Sequence, residues 1–216
     1  MVRRLLSTAC ALGAWLAAMP AAALTLGQQD GFGDTTTQGW TTGVASPVQP
    51  VVQPDGGPAG AGDAFLLIGS SGQAGPGGRL VVFNQLQWAG DYPGAGVTGI
   101  SMDLNNFGGT DLSLRLLLEG AAGPLALSAA PVLLPAGSGW TAVRFDLTAA
   151  GLTATAGLEA VTQLRLFHGS AAVFPGEAIA ATLGLDNITA VPEPAAGWLW
   201  AGGLLAVAWR RRSRGH

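Results

Sequence analysis

Between residues 64 and 191 apolar and polar positions alternate in short runs, and no long stretch repeats at helical spacing. "GISMDLNN" (99–106) places Ile100, Met102 and Leu104 on one face and Ser101, Asp103 and Asn105 on the other. "DLSLRLLLE" (111–119) does the same, with Leu112, Leu114, Leu116 and Leu118 inward and Ser113 and Arg115 outward. "AFLLIG" (64–69), "RLVVFNQLQW" (79–88), "WTAVRFDL" (140–147), "VTQLRLFH" (161–168) and "ATLGLDNITAV" (181–191) complete the set of predicted strands. Gly, Pro, Asn and Asp punctuate them every ten to twenty residues, the pattern of an all-β sandwich or barrel. Period two alone does not separate those two architectures. "SPVQPVVQPDGGPAGAG" (46–62) reads as a loop and "GSSGQAGPGG" (69–78) as a hairpin connection, while "DLTAAGLTATAGLEAV" is the one place for a short helix.

The two ends follow a different pattern. Arg3 and Arg4 precede an apolar run from Leu5 to Met19, and Ala21 and Ala23 supply the small residues of a cleavage site. Residues 1–23 therefore read as a secretory signal peptide for signal peptidase; a short uncleaved anchor is the alternative. Cys10, the only cysteine, lies inside that segment, so the mature chain has no disulfide and must be stabilised by burial. The 168 positions from 24 to 191 suffice for one domain with its own core.

At the other end, Ala195 to Trp209 carries no charge and is followed by Arg210, Arg211, Arg212 and Arg214. As a helix it would reach about 22 Å, short against a hydrocarbon core of about 30 Å. Arginine snorkelling and the tryptophans at 198, 200 and 209 make spanning feasible, with the arginine cluster on the cytoplasmic side.

Charge divides the chain in the same places. Residues 24–191 carry twelve acids against Arg79, Arg115, Arg144 and Arg165, a net −8, whereas both ends are positive and the whole chain is −3. An acidic domain without lysine repels phosphate backbones, which argues against a nucleic-acid partner.

Candidate chemistry is sparse. The domain holds one histidine, His168, no cysteine nucleophile, no Schiff-base lysine and no G-x-S-x-G elbow. "DLNNFGGTD" (103–111) starts like a calcium loop, but Phe107 and Leu114 stand where ligands are required. Rings that stack on sugars are the other candidate: Trp40, Trp88, Tyr92 and Trp140, with Trp88 and Tyr92 the best pair because they flank the "AGD" turn. A tryptophan in a sandwich core is the competing assignment.

Pro192-Glu193-Pro194, the apolar segment and the terminal arginines, in that order, resemble the PEP-CTERM sorting signal of Gram-negative bacteria. That resemblance implies recognition by an exosortase, a membrane protease cutting near the motif; an ordinary tail anchor on a periplasm-facing protein is the alternative. The domain itself, through "QDGFGDTTTQGW" (29–40) and "LGLDNITAV" (183–191), resembles carbohydrate-binding-module and galactose-binding-like jelly rolls. In those folds a structural Ca²⁺ is often held between the first and last strands, which implies Asp34 and Asp186 as ligands with Asp30 as a third. Otherwise Asp34 opens a turn and Asp186 faces solvent.

The expectation is thus a signal peptide (1–23), a jelly-roll β-sandwich ectodomain (24–191) and a sorting segment (192–216). Such a protein is transiently anchored in the inner membrane and then delivered to the cell surface or extracellular matrix. It is structural or adhesive there, with exopolysaccharide as its candidate ligand and no catalytic residue. A polysaccharide-acting enzyme with a carboxylate pair is the competing class.

Overall fold

The computed structural model describes residues 24–193. The signal segment 1–23, Pro194, the apolar run and the arginines at 210–214 lie outside the described residues. Eleven strands run in the order β1 (Gln29–Asp30), β2 (Val51–Gln53), β3 (Phe65–Ser71), β4 (Val81–Asn84), β5 (Gly99–Asn106), β6 (Leu112–Gly120), β7 (Gly123–Leu127), β8 (Val132–Leu134), β9 (Trp140–Asp146), β10 (Gln163–His168) and β11 (Ala180–Val191). Among the described residues the helical content is a single 3-10 turn at Leu158–Ala160, so the expected helix is mostly loop.

All pairings are antiparallel and form two sheets. The first has the order β2-β3-β11-β5-β9, with β1 joining the free flank of β11; the second runs β4-β10-β6-β7, with β8 beside β6. This is the predicted all-β sandwich of jelly-roll type. Between the sheets lie the inward residues that alternation identified, among them Ile100, Met102, Leu104, Leu114, Leu116, Leu118 and Phe145. Leu66, Ile68, Leu164, Leu166, Leu183 and Leu185 join them, each at most 1% exposed. Burying such a side chain contributes about 1.5–3 kcal/mol, which replaces the missing disulfides.

Three local differences from the predicted elements matter. Val51–Gln53 is a strand despite flanking prolines, because it lies at the sheet edge and lends only one flank to β3. The 69–78 segment is not a hairpin connection: β3 and β4 belong to different sheets, and the chain crosses the sandwich between them. The strand predicted at 79–88 stops at Asn84, whose Oδ1 accepts the Leu86 N–H and turns the chain.

Candidate functional site

The first sheet carries two features on its outer face. Register places Leu67, Gly184, Asn105 and Trp140 in one row across β3, β11, β5 and β9. Beside that row Phe65, Phe107 and Trp140 pack together: Phe65 and Phe107 stack at 5.6 Å and 27°, and Trp140 meets both edge-on at 5.1 and 6.0 Å. Gly184 is their floor. A Cβ there would stand 2.7 Å from the Phe107 ring and 2.9 Å from Trp140, so only glycine lets the rings lie on the sheet. Trp140 is further held by its indole N–H donating to the Gly56 carbonyl (2.9 Å).

Phe107 remains 47% exposed. It borders a shallow cavity of about 240 Å³ lined also by Gln53, Phe65, Leu67 and Thr182. An open ring next to an amide and a hydroxyl combines apolar stacking with orienting hydrogen bonds. Sequence reading named Trp140 but missed Phe65 and Phe107. Phe107 follows a strand end, and the glycine floor that unites the rings comes from a strand about 80 residues away in the chain.

The second feature is Asp186, directly opposite Asp103 in the β5–β11 ladder. It is fully buried, and neither carboxylate oxygen accepts a well-formed hydrogen bond. Burial pushes its carboxyl up to about 6; the adjacent Asn187 N–H offsets part of that, while Asp63 and Asp103 add to it. Asn187 sits at φ 50° in the irregular step where β11 stops pairing with β3 and begins pairing with β1. Its amide donates to Asp103 Oδ2 (2.9 Å), and its Oδ1 accepts from Gln29 Nε2 (2.8 Å). The Gly31 backbone comes close enough that a Cβ there would be 4.0 Å from Asp186 Oδ1 and 3.7 Å from Asn187 Oδ1.

A hard cation fits this orphaned oxygen pair chemically. The three expected ligands, however, are put to three different uses. Asp30 Oδ2 is already taken by the indole N–H groups of Trp40 (2.7 Å) and Trp88 (2.6 Å) and by Gln87 Nε2 (2.9 Å). Asp34 is exposed and accepts from the Thr36 backbone N–H (3.0 Å) and hydroxyl, which holds its carboxyl below the ordinary range and marks it as a turn former. Only Asp186 lacks partners. Among the described residues no three carboxylate, imidazole or thiol side chains converge at metal-binding distance, so a cation here would need backbone oxygens, Asn187 Oδ1 or water as well.

The chosen aromatic pair is corrected by burial. Trp88 and Tyr92 are 0% and 1% exposed and cannot meet a sugar in this conformation. Trp88 turns inward because its indole N–H finds Asp30, and Tyr92 because its hydroxyl donates to the Trp88 carbonyl (3.0 Å). That burial also raises the Tyr92 phenol above its ordinary value. Trp40 is likewise core, 6.3 Å from Trp88.

On the second sheet the outer face is covered in part. The segment between β10 and β11 folds back across it, and Phe174 packs edge-on to Phe167 at 5.4 Å. The Arg165 guanidinium lies 4.6 Å from both Phe83 and Phe174 and is paired with Glu119 at 2.8 Å. Arg115 ties the segment down by donating to the carbonyls of Gly169 and Ser170, and it also donates to those of Ser128 and Ala129 after β7, all at 2.7–2.9 Å. His168 accepts the Ser113 N–H at Nδ1, and its Nε2 stands 3.9 Å from Glu177. Ser170 hydrogen-bonds Glu177 rather than His168, so these three make no nucleophile–base relay.

Comparison with known proteins bears on the fold. Similar solved structures include the family 11 carbohydrate-binding module from Clostridium thermocellum, in complex with a beta-1,3-1,4-mixed-linked tetrasaccharide. It has a TM-score of 0.52 and 11% identity, covering 78% of this chain and 97% of that one. A non-crystalline cellulose specific carbohydrate-binding module, CBM28, gives 0.52 at 13% identity, covering 80% and 99%. An exo-beta-agarase gives 0.57 at 11% identity over 79% of this chain, which spans only 26% of the agarase chain. These likenesses define the fold: a jelly-roll β-sandwich of the carbohydrate-binding-module type. Residues 190–212 match the PEP-CTERM protein-sorting motif, so the chain carries the sorting signal that its C-terminus resembles. No curated protein matches the chain in sequence.

Proposed function

We propose that residues 24–193 form an exported, non-catalytic carbohydrate-binding domain that an exosortase-type protease sorts to the cell surface or extracellular matrix. Exopolysaccharide is the ligand class. The sorting motif at 190–212 supports the route, and the fold supports the class of activity. The single observation that carries the site is the ring shelf of Phe65, Phe107 and Trp140, open at Phe107 and edged by Gln53 and Thr182. Part of the opposite face is covered by Phe174 and by the segment Arg115 tethers, which favours the shelf as the aromatic surface for a polymer. A structural cation at Asp186 belongs to the same reading: its chemistry there would be to neutralise a buried charge and tie β11 to the chain following β1.

The non-catalytic part rests on where the acids are. Asp186 and Asp103 are paired across a ladder, but Asp186 is sealed from any substrate. Glu119 is occupied by Arg165 and by the Gln163 amide.

Affinity electrophoresis and calorimetry against the exopolysaccharide of the native host and against mixed-linked β-glucan test the proposal. Phe107→Ala and Trp140→Ala are each expected to weaken binding roughly ten-fold, the worth of one ring contact. Binding left unchanged by both substitutions, or no binding to either polymer, overturns the site.

A further inference from the structure

The sorting motif begins inside the folded sheet. Its match starts at residue 190, whereas β11 continues to Val191. That strand is hydrogen-bonded on both flanks to its end: Thr98 N–H donates to Val191 O (3.0 Å), Gly27 N–H donates to Ala190 O (2.9 Å), and Ala190 N–H donates to Gln28 O (3.0 Å). Pro192 then ends the ladder, having no N–H to give. Its carbonyl is nevertheless captured by Arg144 Nη2 at 3.0 Å.

Arg144 reaches it from β9 by lying across β5. A Cβ on Gly99 would stand 2.4 Å from the guanidinium carbon, so the group rests flat on that glycine. Gly99 is itself the ladder partner of Val191. Arg144, Gly99 and Pro192 form a clasp across three neighbouring strands, with Glu193 exposed immediately beyond it.

A protease must draw at least the two residues that flank the scissile bond into its cleft in extended form. Residues before Pro192 cannot be supplied without stripping β11, the strand that joins β1, β3 and β5 and carries Leu183, Leu185 and Ile188 into the core. Removing a strand so placed approaches global unfolding. We propose that the domain sets its own processing boundary: the Arg144–Gly99 clasp holds Pro192 on the folded side, and C-terminal cleavage falls at or beyond the Glu193–Pro194 bond. Arg144 is here a positioning residue, with no part in the peptide-bond chemistry. The inference rests on the sorting reading of the tail for its protease, but the clasp can be tested without it.

Two experiments separate the two ideas. Intact mass of the protein purified from its native host is expected to show a mature C-terminus at Glu193 or later. A folded mature species ending at Pro192 or earlier overturns the boundary; retention of the arginines at 210–214 on the purified protein overturns the processing itself.

Independently, the full-length protein in host membrane vesicles is digested with proteinase K, and the released domain is followed by mass and rate. Wild type is expected to release a domain retaining Pro192. Arg144→Gln is expected to release domain two- to ten-fold faster, as loss of one ordinary hydrogen bond makes local opening more frequent, with termini extending inward past Pro192. Gly99→Ala keeps the arginine but puts a methyl group where the guanidinium lies, and should behave the same. Unchanged rate and termini in both variants, with thermal melting unaltered, overturn the clasp.

Discussion

The outer faces of the two sheets are built from the same alternation and end in opposite states. On the first sheet, the absence of a side chain at Gly184 leaves room for rings, and one ring stays open to solvent. On the second, Arg115 and Phe167 are as buried as the core, because the segment between β10 and β11 is folded down over them. The lesson is that period two identifies which residues leave the core but not whether they reach water. Arg115 points outward in the pattern and is nevertheless 4% exposed, its charge answered by four carbonyl groups.

The sharpest way to break this contrast is to release the cover. Arg115→Ala removes the donor to four carbonyls and frees the 169–179 segment, and is expected to cost about 3 kcal/mol. For a domain of this size that lowers Tm by roughly 6–12 °C in a calorimetric scan. Binding at the Phe107 shelf should be unchanged, since the two faces share no side chain. A loss of glycan affinity in a folded Arg115→Ala protein would mean that the covered face is the binding face.

Next in size is the charge hidden under the open face. Asp186 contrasts with Asp30: both are buried, yet one receives three side-chain N–H donors and the other no well-formed hydrogen bond. An uncompensated carboxylate is costly, and a cation bound only by the folded state must raise stability, by about 2.7 kcal/mol at a hundred-fold excess over Kd. Calcium is therefore expected to raise Tm relative to chelator. Asp186→Asn should melt higher than wild type in chelator and lose the response to calcium. Identical wild-type melting with calcium and with chelator eliminates the cation.

What the sequence disclosed follows from these same contrasts. Strands rich in alternating apolar residues, such as 99–106 and 112–120, could be read directly because each forms its pattern alone. Val51–Gln53 could not, since prolines on both sides mask an edge strand that needs only one hydrogen-bonded flank. Site residues were legible one at a time but not as sets. Asp186 was visible in "LGLDN", yet its surroundings come from Gly31, Asp63 and Asp103, brought together only by the fold. Trp88 beside a turn looks exposed in one dimension; the acceptor that draws it inward, Asp30, lies 58 residues away. Phe174 stands in a loop without periodicity, so nothing local shows that it caps Arg165.

The smallest expected effect tests whether the cover on the second sheet is held by a neutral histidine. His168 accepts the Ser113 N–H at Nδ1 (3.1 Å), which requires that nitrogen to be unprotonated. Burial lowers its pKa below the ordinary 6.5, although the Glu177 carboxylate pulls the other way. The folded state thus binds this proton less readily than the unfolded chain. The stability tied to His168 is fully present above pH 6.5 and declines as pH falls from 6.5 through the lowered folded-state pKa. Melting followed from pH 7.5 to 5 should show a downward step in wild type that is absent in His168→Gln, whose amide can keep accepting the Ser113 N–H without titrating. The step should be smaller than the losses above, because one imidazole is involved and Glu177 recovers part of the cost once it is charged. An equal step in both proteins would assign the pH response to the carboxylates instead, and the closed face would then owe nothing to the protonation of His168.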